Sequence, residues 1–277
     1  MPKPDLTVEI YIPTRGRVGR LRQQTLQQFT ERSSYKPILV CPPDEVAAHQ
    51  TYAKRVQSCA AIGIGPTRQW LTENAVADIV VMSDDDLTFA YREVAGSVKL
   101  TQSASLDPMI DACVQVIEDG YIHGGVSSRQ DAAFLGDHRQ GRWGGIRPHG
   151  LAAIDNYRVN NFHFFHRRKV INAGARFDML PVMEDFYFTL QLLTAGFPNR
   201  VLFSYCWNQR GSGADGGCSL YRTAEVQRQG AEGLALAFPN YVNVLEKQSK
   251  SVWKGMETRA DVRVQWLKAF KGSTKNA

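Results

Sequence analysis

A mainly parallel β-sheet flanked by helices, the α/β arrangement, is implied by the way short apolar runs alternate with helical stripes in this 277-residue chain. Three stretches carry that reading. Ile79 to Met82 is a continuous apolar run with β-branched residues, the pattern of a strand buried on both faces. Glu9 to Pro13 and Lys36 to Cys41 repeat it, with a helical stripe between them. Between Lys36 and Ile79, Pro66 suits the first turn of another helix.

In chain order, the first strand ends at Pro13 and the turn Thr14-Arg15-Gly16-Arg17 follows it. A helix is expected from about Gly19 to Arg32, with Leu21, Thr25, Leu26 and Phe29 inward. Pro42-Pro43 stops the second strand, and Asp44 is placed to cap a helix to about Lys54. Ala60-Ala61-Ile62 reads as a short third strand before the Pro66 helix, which carries Arg68, Gln69, Trp70 and Leu71. After the fourth strand the pattern weakens. Gly96 to Asp107 reads as a loop, Pro108 to Gly120 as a helix, and Tyr121 to Ser127 as a fifth strand. Gly136 to Gly150 combines five glycines with Arg139, Arg142, Arg147 and Trp143, a composition for a surface loop or one closing on a phosphate backbone. Val159 to Phe165 is a strand, His166 to Ile171 starts a short helix that ends at Gly174, and Glu184 to Ala195 is a helix ended by Gly196. Asn199 to Trp207 is expected to be the last strand, followed by a glycine-rich loop to Cys218 and a helix from Thr223 to about Phe238. A tail helix over about Thr258 to Lys271 would stack Val262, Trp266 and Phe270.

Residues 1–250 form one domain on this reading, and 251–277 a basic helical C-terminal extension. The formal charge of +6 is concentrated from Lys247 onward, where eight basic residues face Glu257 and Asp261. A neutral body with a basic end points to a polyanionic partner, nucleic acid first, unless the charges only solvate a terminal helix. With no apolar run near ~18 residues and no opening signal peptide, the chain reads as soluble, intracellular and without a membrane partner. Five unpaired cysteines suit free thiols in a reducing compartment.

The chemistry concentrates where the fourth strand ends, in Asp84-Asp85-Asp86. Strand alternation would let Asp84 and Asp86 share a side while Asp85 looks away. Like charges that close are costly without a counter-ion, and hard oxygen ligands suit Mg²⁺ or Mn²⁺ carrying phosphates. An acidic turn in solvent is the plain alternative, made less attractive by the position at a strand's C-terminal end, where open α/β sheets bind ligands. Asp215, in the loop before Cys218, is the candidate third ligand. Neither glycine-bearing turn is G-x-G-x-x-G or a P-loop, so a dinucleotide or P-loop site is not supported. Glu184 and Asp185 open a helix, where the dipole favours anions, and beside the strand-end aspartates such a carboxylate is placed to take a proton from an acceptor hydroxyl.

Taken in order, these pieces resemble GT-A-fold glycosyltransferases over roughly residues 8–205. The matching features are Pro13-Thr14 with Arg15 and Arg17, Gly65-Pro66-Thr67-Arg68, Asp84-Asp85-Asp86, His166-Arg167-Arg168 ahead of Gly174 and Phe177-Asp178, and Glu184-Asp185 opening a helix that ends in Gly196-Phe197. The Pro-Thr-Arg-Gly-Arg start, the Gly216 to Thr223 segment and Phe238-Pro239-Asn240-Tyr241-Val242 more narrowly resemble phage glycosyltransferases associated with TET-type dioxygenases. The resemblance implies a GT-A-like fold and a nucleotide-sugar donor, UDP-glucose or a related UDP-sugar favoured, bound with Mn²⁺ or Mg²⁺. Pro13, Thr14, Arg15, Arg17, Arg68, Asp84 and Asp85 would bind the nucleotide, Asp84 and Asp86 the metal, and Asp185, with Glu184 beside it, would be the catalytic base. The implied acceptor is the 5-hydroxymethyl group of a modified cytosine in duplex DNA, with inversion at the anomeric carbon, in the host cell cytoplasm if the chain is phage-encoded. Two other readings stay open: a glycan or protein acceptor, and a non-catalytic DNA-binding protein on a GT-A scaffold. Sugar identity, hydroxymethylcytosine against hydroxymethyluracil, and oligomeric state are left open.

Overall fold

The computed structural model describes residues 6–19, 23–92, 100–131, 153–209, 217, 221–253 and 256–273, with the side chains of 249–257 left out. Leu21, Asp215, Cys218 and the Gly136 to Gly150 loop lie outside the described residues. In chain order the elements are β1 (Val8–Pro13), α1 (Gln24–Arg32), β2 (Ile38–Cys41), α2 (Val46–Gln50), β3 (Val56–Ser58), α3 (Ile64–Asn74), β4 (Ile79–Ser83), β5 (Leu87–Arg92), β6 (Leu100–Thr101) and α4 (Asp107–Glu118). There follow β7 (His123–Ser128), β8 (Ala153–Asp155), β9 (Phe162–His166), α5 (Arg167–Asn172), α6 (Glu184–Thr194), β10 (Asn199–Gln209), α7 (Ala224–Ala237), β11 (Val242–Trp253), β12 (Met256–Val264) and α8 (Trp266–Ser273).

Ten strands form one sheet in the order β3-β2-β1-β4-β9-β7-β10-β5-β6, with β8 on β10. The first four are mutually parallel, as the alternation with helices requires. Antiparallel β9 is inserted between β4 and β7, and β7 with β10 resumes the common direction. Only β9, β5 and β8 run against the rest. Alternation along β1 and β4 sorts the core into two layers. Ile10, Ile79 and Val81 pack with α1 and α4 through Phe29, Met109, Ile110 and Cys113. Tyr11, Val80 and Met82 pack with α3 and α6 through Leu71, Phe188 and Leu192. At about 25 cal/mol per Å² of apolar surface removed from water, these two layers dominate the stability.

Several expected elements are displaced. The third strand lies at Val56–Ser58, four residues before the expected Ala60-Ala61-Ile62, because its backbone pairs with Leu39 to Cys41 while Ile62 stands 76% exposed. Asp44 makes no capping bond; Pro43–Glu45 is a 3-10 turn and α2 ends at Gln50. Thr223 does cap α7, accepting from the Val226 amide at 3.2 Å. Asn199–Gln209 is not the last strand. The tail read as helical is mostly β: β12 pairs antiparallel with β11, setting Val242 and Val244 against Val264 and Val262, and position 250 falls inside β11. Val262 therefore belongs to a strand and Trp266 and Phe270 to the short α8, although all three join one cluster with α6 and α7. Among the described residues, Cys41, Cys59, Cys113 and Cys206 are free and buried, and no helix is long and apolar enough to cross a membrane.

Candidate functional site

The strand-end aspartates are held by a backbone lock. Thr25, at the start of α1, donates its amide to the Asp85 carbonyl at 3.1 Å and its hydroxyl to the Asp84 carbonyl at 2.5 Å. The Asp84 amide donates to the Asn161 carbonyl at 2.9 Å, so the turn is fixed from both neighbouring segments. Around it lies a cleft of about 460 Å³. Pro13, Thr14, Arg15, Arg17, Arg68, Asp84, Asp85, Asp86, Glu184 and Asp185 all line it, so every described candidate converges on one site. Asp215 lies outside the described residues, so its part as a ligand rests on the sequence alone.

Each aspartate has its own partners. Asp85 accepts from the Thr14 hydroxyl at 2.6 Å and pairs with Arg17, which also reaches Asp86 at 2.9 Å. Asp84 takes Arg68 at 2.7 Å and the Asn161 amide at 2.9 Å. Asp86 takes the Gln209 amide on both oxygens, at 2.9 and 3.0 Å. Asn161 also donates to Gln209 at 3.2 Å, so one amide pair spans Asp84 and Asp86 while Asp85 turns toward Thr14 and Arg17. The expected division of sides holds for Asp84 and Asp85, but Arg17 ties Asp86 to Asp85 as well. Gln23 buttresses this end, donating to the Thr14 hydroxyl at 2.8 Å and the Arg17 carbonyl at 2.9 Å.

Across the cleft, Glu184 and Asp185 open α6 immediately after Met183, whose φ of 63° is left-handed. Asn161, with φ 59°, shares that uncommon conformation and also lines the cleft. Non-glycine residues held there are costly by about 1–3 kcal/mol and persist where the surroundings over-determine them. Gly65, in the first turn of α3, makes the approach possible, since a Cβ there would sit 2.7 Å from the Phe177 carbonyl oxygen. That contact lets Arg68 reach Glu184 at 2.7 Å while holding Asp84 with its other nitrogen.

Charge is unbalanced here. Around the aspartate turn and the Glu184–Asp185 pair, five carboxylates (Asp84, Asp85, Asp86, Glu184, Asp185) meet two paired guanidiniums (Arg17, Arg68), a formal −3 for this subset of a lining that also holds Arg15, Arg222, Arg259 and Asp261. Burial pushes Asp84 up to about 7 against the opposing pull of Arg68, with Asp86 and Asp85 adding to the rise. Asp85 is pushed up to about 6 by burial, against the pull of Arg17. Asp185 is raised first by burial and then by the charge of Glu184, with Arg68 opposing. A divalent cation would relieve this excess. Among the described residues no three metal-ligating side chains form a cage, and the donor set is instead one or two carboxylates, Asp84 and Asp86, which line the cleft and would exchange their present protein partners for the ion. That is how Mg²⁺ or Mn²⁺ is held when substrate phosphates complete its shell, so the residues fit such an ion with Asp84 and Asp86 as the protein ligands.

The chain matches the model of the TET-Associated Glycosyltransferase family over residues 8–217. It belongs to that family. It is 24% identical over 249 residues to the beta-glucosyl-HMC-alpha-glucosyl-transferases of Enterobacteria phages T6 and T2, covering 84% of this chain and 81% of each relative. Among solved structures it resembles the Pyrobaculum calidifontis mannosyltransferase PcManGT in complex with GDP-Man and Mn2+, with a TM-score of 0.55 and 14% identity. That likeness spans 86% of this chain and 66% of the other. Staphylococcus aureus TarS 1–349 in complex with UDP-GlcNAc gives a TM-score of 0.50 and 13% identity over 83% of this chain and 67% of the other. The fold of this glycosyltransferase is GT-A.

Sequence reasoning missed Asn161, Gln209, Tyr221 and Arg259 as cleft residues, and Gln23 as the support behind Thr14 and Arg17. All but Arg259 are uncharged, and none sits in a run that marks it. Tyr221 was seen only as part of the Gly216 to Thr223 segment; its hydroxyl accepts the Ile64 amide at 3.1 Å and anchors the start of α3. Arg68→Ala in this glycosyltransferase should lower stability by about 3–5 kcal/mol, because it leaves Asp84 and Glu184 without their shared cation. Denaturant titration checks this; a midpoint unchanged from wild type would mean that the pairs contribute little.

Proposed function

We propose that this enzyme transfers a sugar from a nucleotide-diphosphate sugar to the 5-hydroxymethyl group of a modified cytosine in duplex DNA, with inversion and with help from Mg²⁺ or Mn²⁺. The observation that carries the reading is the opposition, in one cleft, of the Asp84-Asp85-Asp86 turn and a carboxylate of raised basicity, Asp185. A UDP-sugar is the favoured donor, and the phage relatives' names support a DNA hydroxymethylcytosine acceptor.

In this scheme Thr14, Arg17 and Asp85 form the nucleotide end, preset by the bonds that Gln23 makes to Thr14 and Arg17. Asp84 and Asp86 would hold the ion, which would supply positive charge to the departing diphosphate. Arg68 pairs with Glu184, so that Asp185 is the carboxylate left to take the acceptor proton. Orienting donor and acceptor within one cleft supplies much of the remaining acceleration. A base on the side of the anomeric carbon opposite the leaving group would give one direct displacement, hence inversion.

The test is incubation of the protein with unmodified, hydroxymethylated and glucosyl-hydroxymethylated DNA and a panel of nucleotide sugars, read by nucleoside mass spectrometry. One hexose should be added to the hydroxymethylated nucleoside, and chelator should stop it. The relatives' names favour a second acceptor, a glucose already carried by hydroxymethylcytosine; addition only to glucosylated DNA would select it. No addition to any DNA would sink the DNA-acceptor reading.

A further inference from the structure

The family match ends at residue 217, yet the cleft does not. Arg259 and Asp261, both on β12, line it together with Arg222 and Gln227. Alternation explains how. Ala260 and Val262 point into the cluster that holds Val182 and Met183, so Arg259 and Asp261 occupy the other face of the hairpin. Register puts Lys247 directly opposite Arg259 and Leu245 opposite Asp261. Arg263 continues this face, exposed to solvent.

The hairpin sits at the Asp185 side of the cleft. It shares a buried cluster with Val182 and Met183, the two residues that lead into Glu184 and Asp185. Helix α7 is pressed on the same segment, since a Cβ at Gly230 would lie 2.5 Å from Val182. Gln227 ties the two together, donating to the Ala260 carbonyl at 3.0 Å and accepting from Arg222 at 2.8 Å. Arg259 and Asp261 line the same cleft as Asp185, so a group held on this face shares that cleft with the carboxylate that has to meet the acceptor.

The charge of this face is positive where the opposite end of the cleft is negative. Asp261 is already satisfied, one oxygen by Lys247 at 2.6 Å and the other by the Val262 amide at 2.8 Å. It is thus not spent on Arg259, whose Nε is buried and meets no acceptor among the described residues. Lys247, Arg259 and Arg263 against Asp261 leave a formal +2 on one face of one hairpin. A guanidinium that lines the cleft and is paired with no carboxylate among the described residues is matched by a phosphate, which takes two parallel N–H bonds.

We propose that the cleft-facing side of the β11–β12 hairpin binds the sugar-phosphate backbone of the acceptor DNA, with Arg259 contacting a phosphate beside the target nucleotide. Phosphate contacts set register and orientation without reading sequence, so Arg259 acts as a positioning residue for the hydroxymethyl group. The inference rests on the DNA-acceptor reading above and deepens it.

The test is fluorescence anisotropy of a labelled hydroxymethylated duplex across a salt series, run on wild type, Arg259→Ala and Arg259→Lys, beside calorimetric donor titration and a melting curve. Arg259→Ala should reduce the slope of log affinity against log salt by about 0.9, the loss of one phosphate contact, and leave donor affinity unchanged. Arg259→Lys should restore the slope, because the charge returns. If Arg259→Ala melts early, Arg259→Gln keeps the stem without the charge and replaces it. An unchanged slope in a folded variant overturns the proposal, as does a fall in donor affinity with DNA binding intact, which would assign Arg259 to the donor diphosphate. A reduced slope together with no transfer to any DNA by the wild type would uphold the contact and sink the acceptor chemistry instead.

Discussion

Asp185→Asn should keep donor binding and lower turnover by about 10² to 10⁴-fold, the usual worth of general-base catalysis. The amide preserves the shape of the carboxylate and can still accept the Phe186 amide, which Asp185 holds at 2.8 Å, so the first turn of α6 is retained. What it cannot do is take a proton. Burial and the neighbouring charge of Glu184 raise the pKa of Asp185 above the ordinary aspartate range near ~4. A base works only in its deprotonated form, so turnover of the wild type should climb with pH through an acidic limb displaced upward from that range. The variant should lose this limb along with the rate. Steady-state kinetics against pH, with donor affinity measured separately, decides the matter; a variant that keeps both the limb and more than about a tenth of the rate puts the base on another residue. Glu184 is poorly suited to replace it, since Arg68 already occupies its Oε1.

Asp86→Ala should abolish transfer and the metal-dependent part of donor binding. Asp86 follows a strand end and contributes no packing to either core layer; it accepts from Gln209 and pairs with Arg17. Truncation leaves those two donors short of an acceptor, a cost of about 1–3 kcal/mol that a melting curve will register without loss of the fold. The larger effect is on the cleft. Removing one carboxylate takes the local charge from −3 to −2 and halves the pair proposed to hold the ion. Calorimetric titration with the nucleotide sugar, with and without chelator, separates the two consequences. Equal affinity in both conditions for the wild type would end the metal assignment, whatever the variant does.

The amino-acid sequence alone determined β1, β2 and β4, though not the position of β3, and the two carboxylate groups. Each depends on neighbours in sequence: an apolar run of strand length, a helix-starting Pro66, three aspartates directly after Met82, and two acids at a helix start. Periodicity and capping are local, so they can be read without knowing what the segment packs on. The tertiary structure decided the rest. Arg68 and Glu184 meet across 116 positions, and Gln209 reaches Asp86 across 123, with no pattern in either stretch to announce the contact. The antiparallel insertion of β9 between β4 and β7 is a matter of sheet order, which strand composition does not encode. The C-terminal hairpin shows the limit most plainly. Val262, Trp266 and Phe270 fall four residues apart and read as a helical stripe, yet Val262 also alternates with Ala260 and Val264. What chose the strand was a partner, Val242 to Gln248, whose backbone groups pair with Thr258 to Val264 and whose valines close the same buried cluster. A strand's hydrogen bonds are made with another segment, whereas a helix makes its own, so only the assembled fold could place Arg259 on the rim of the cleft.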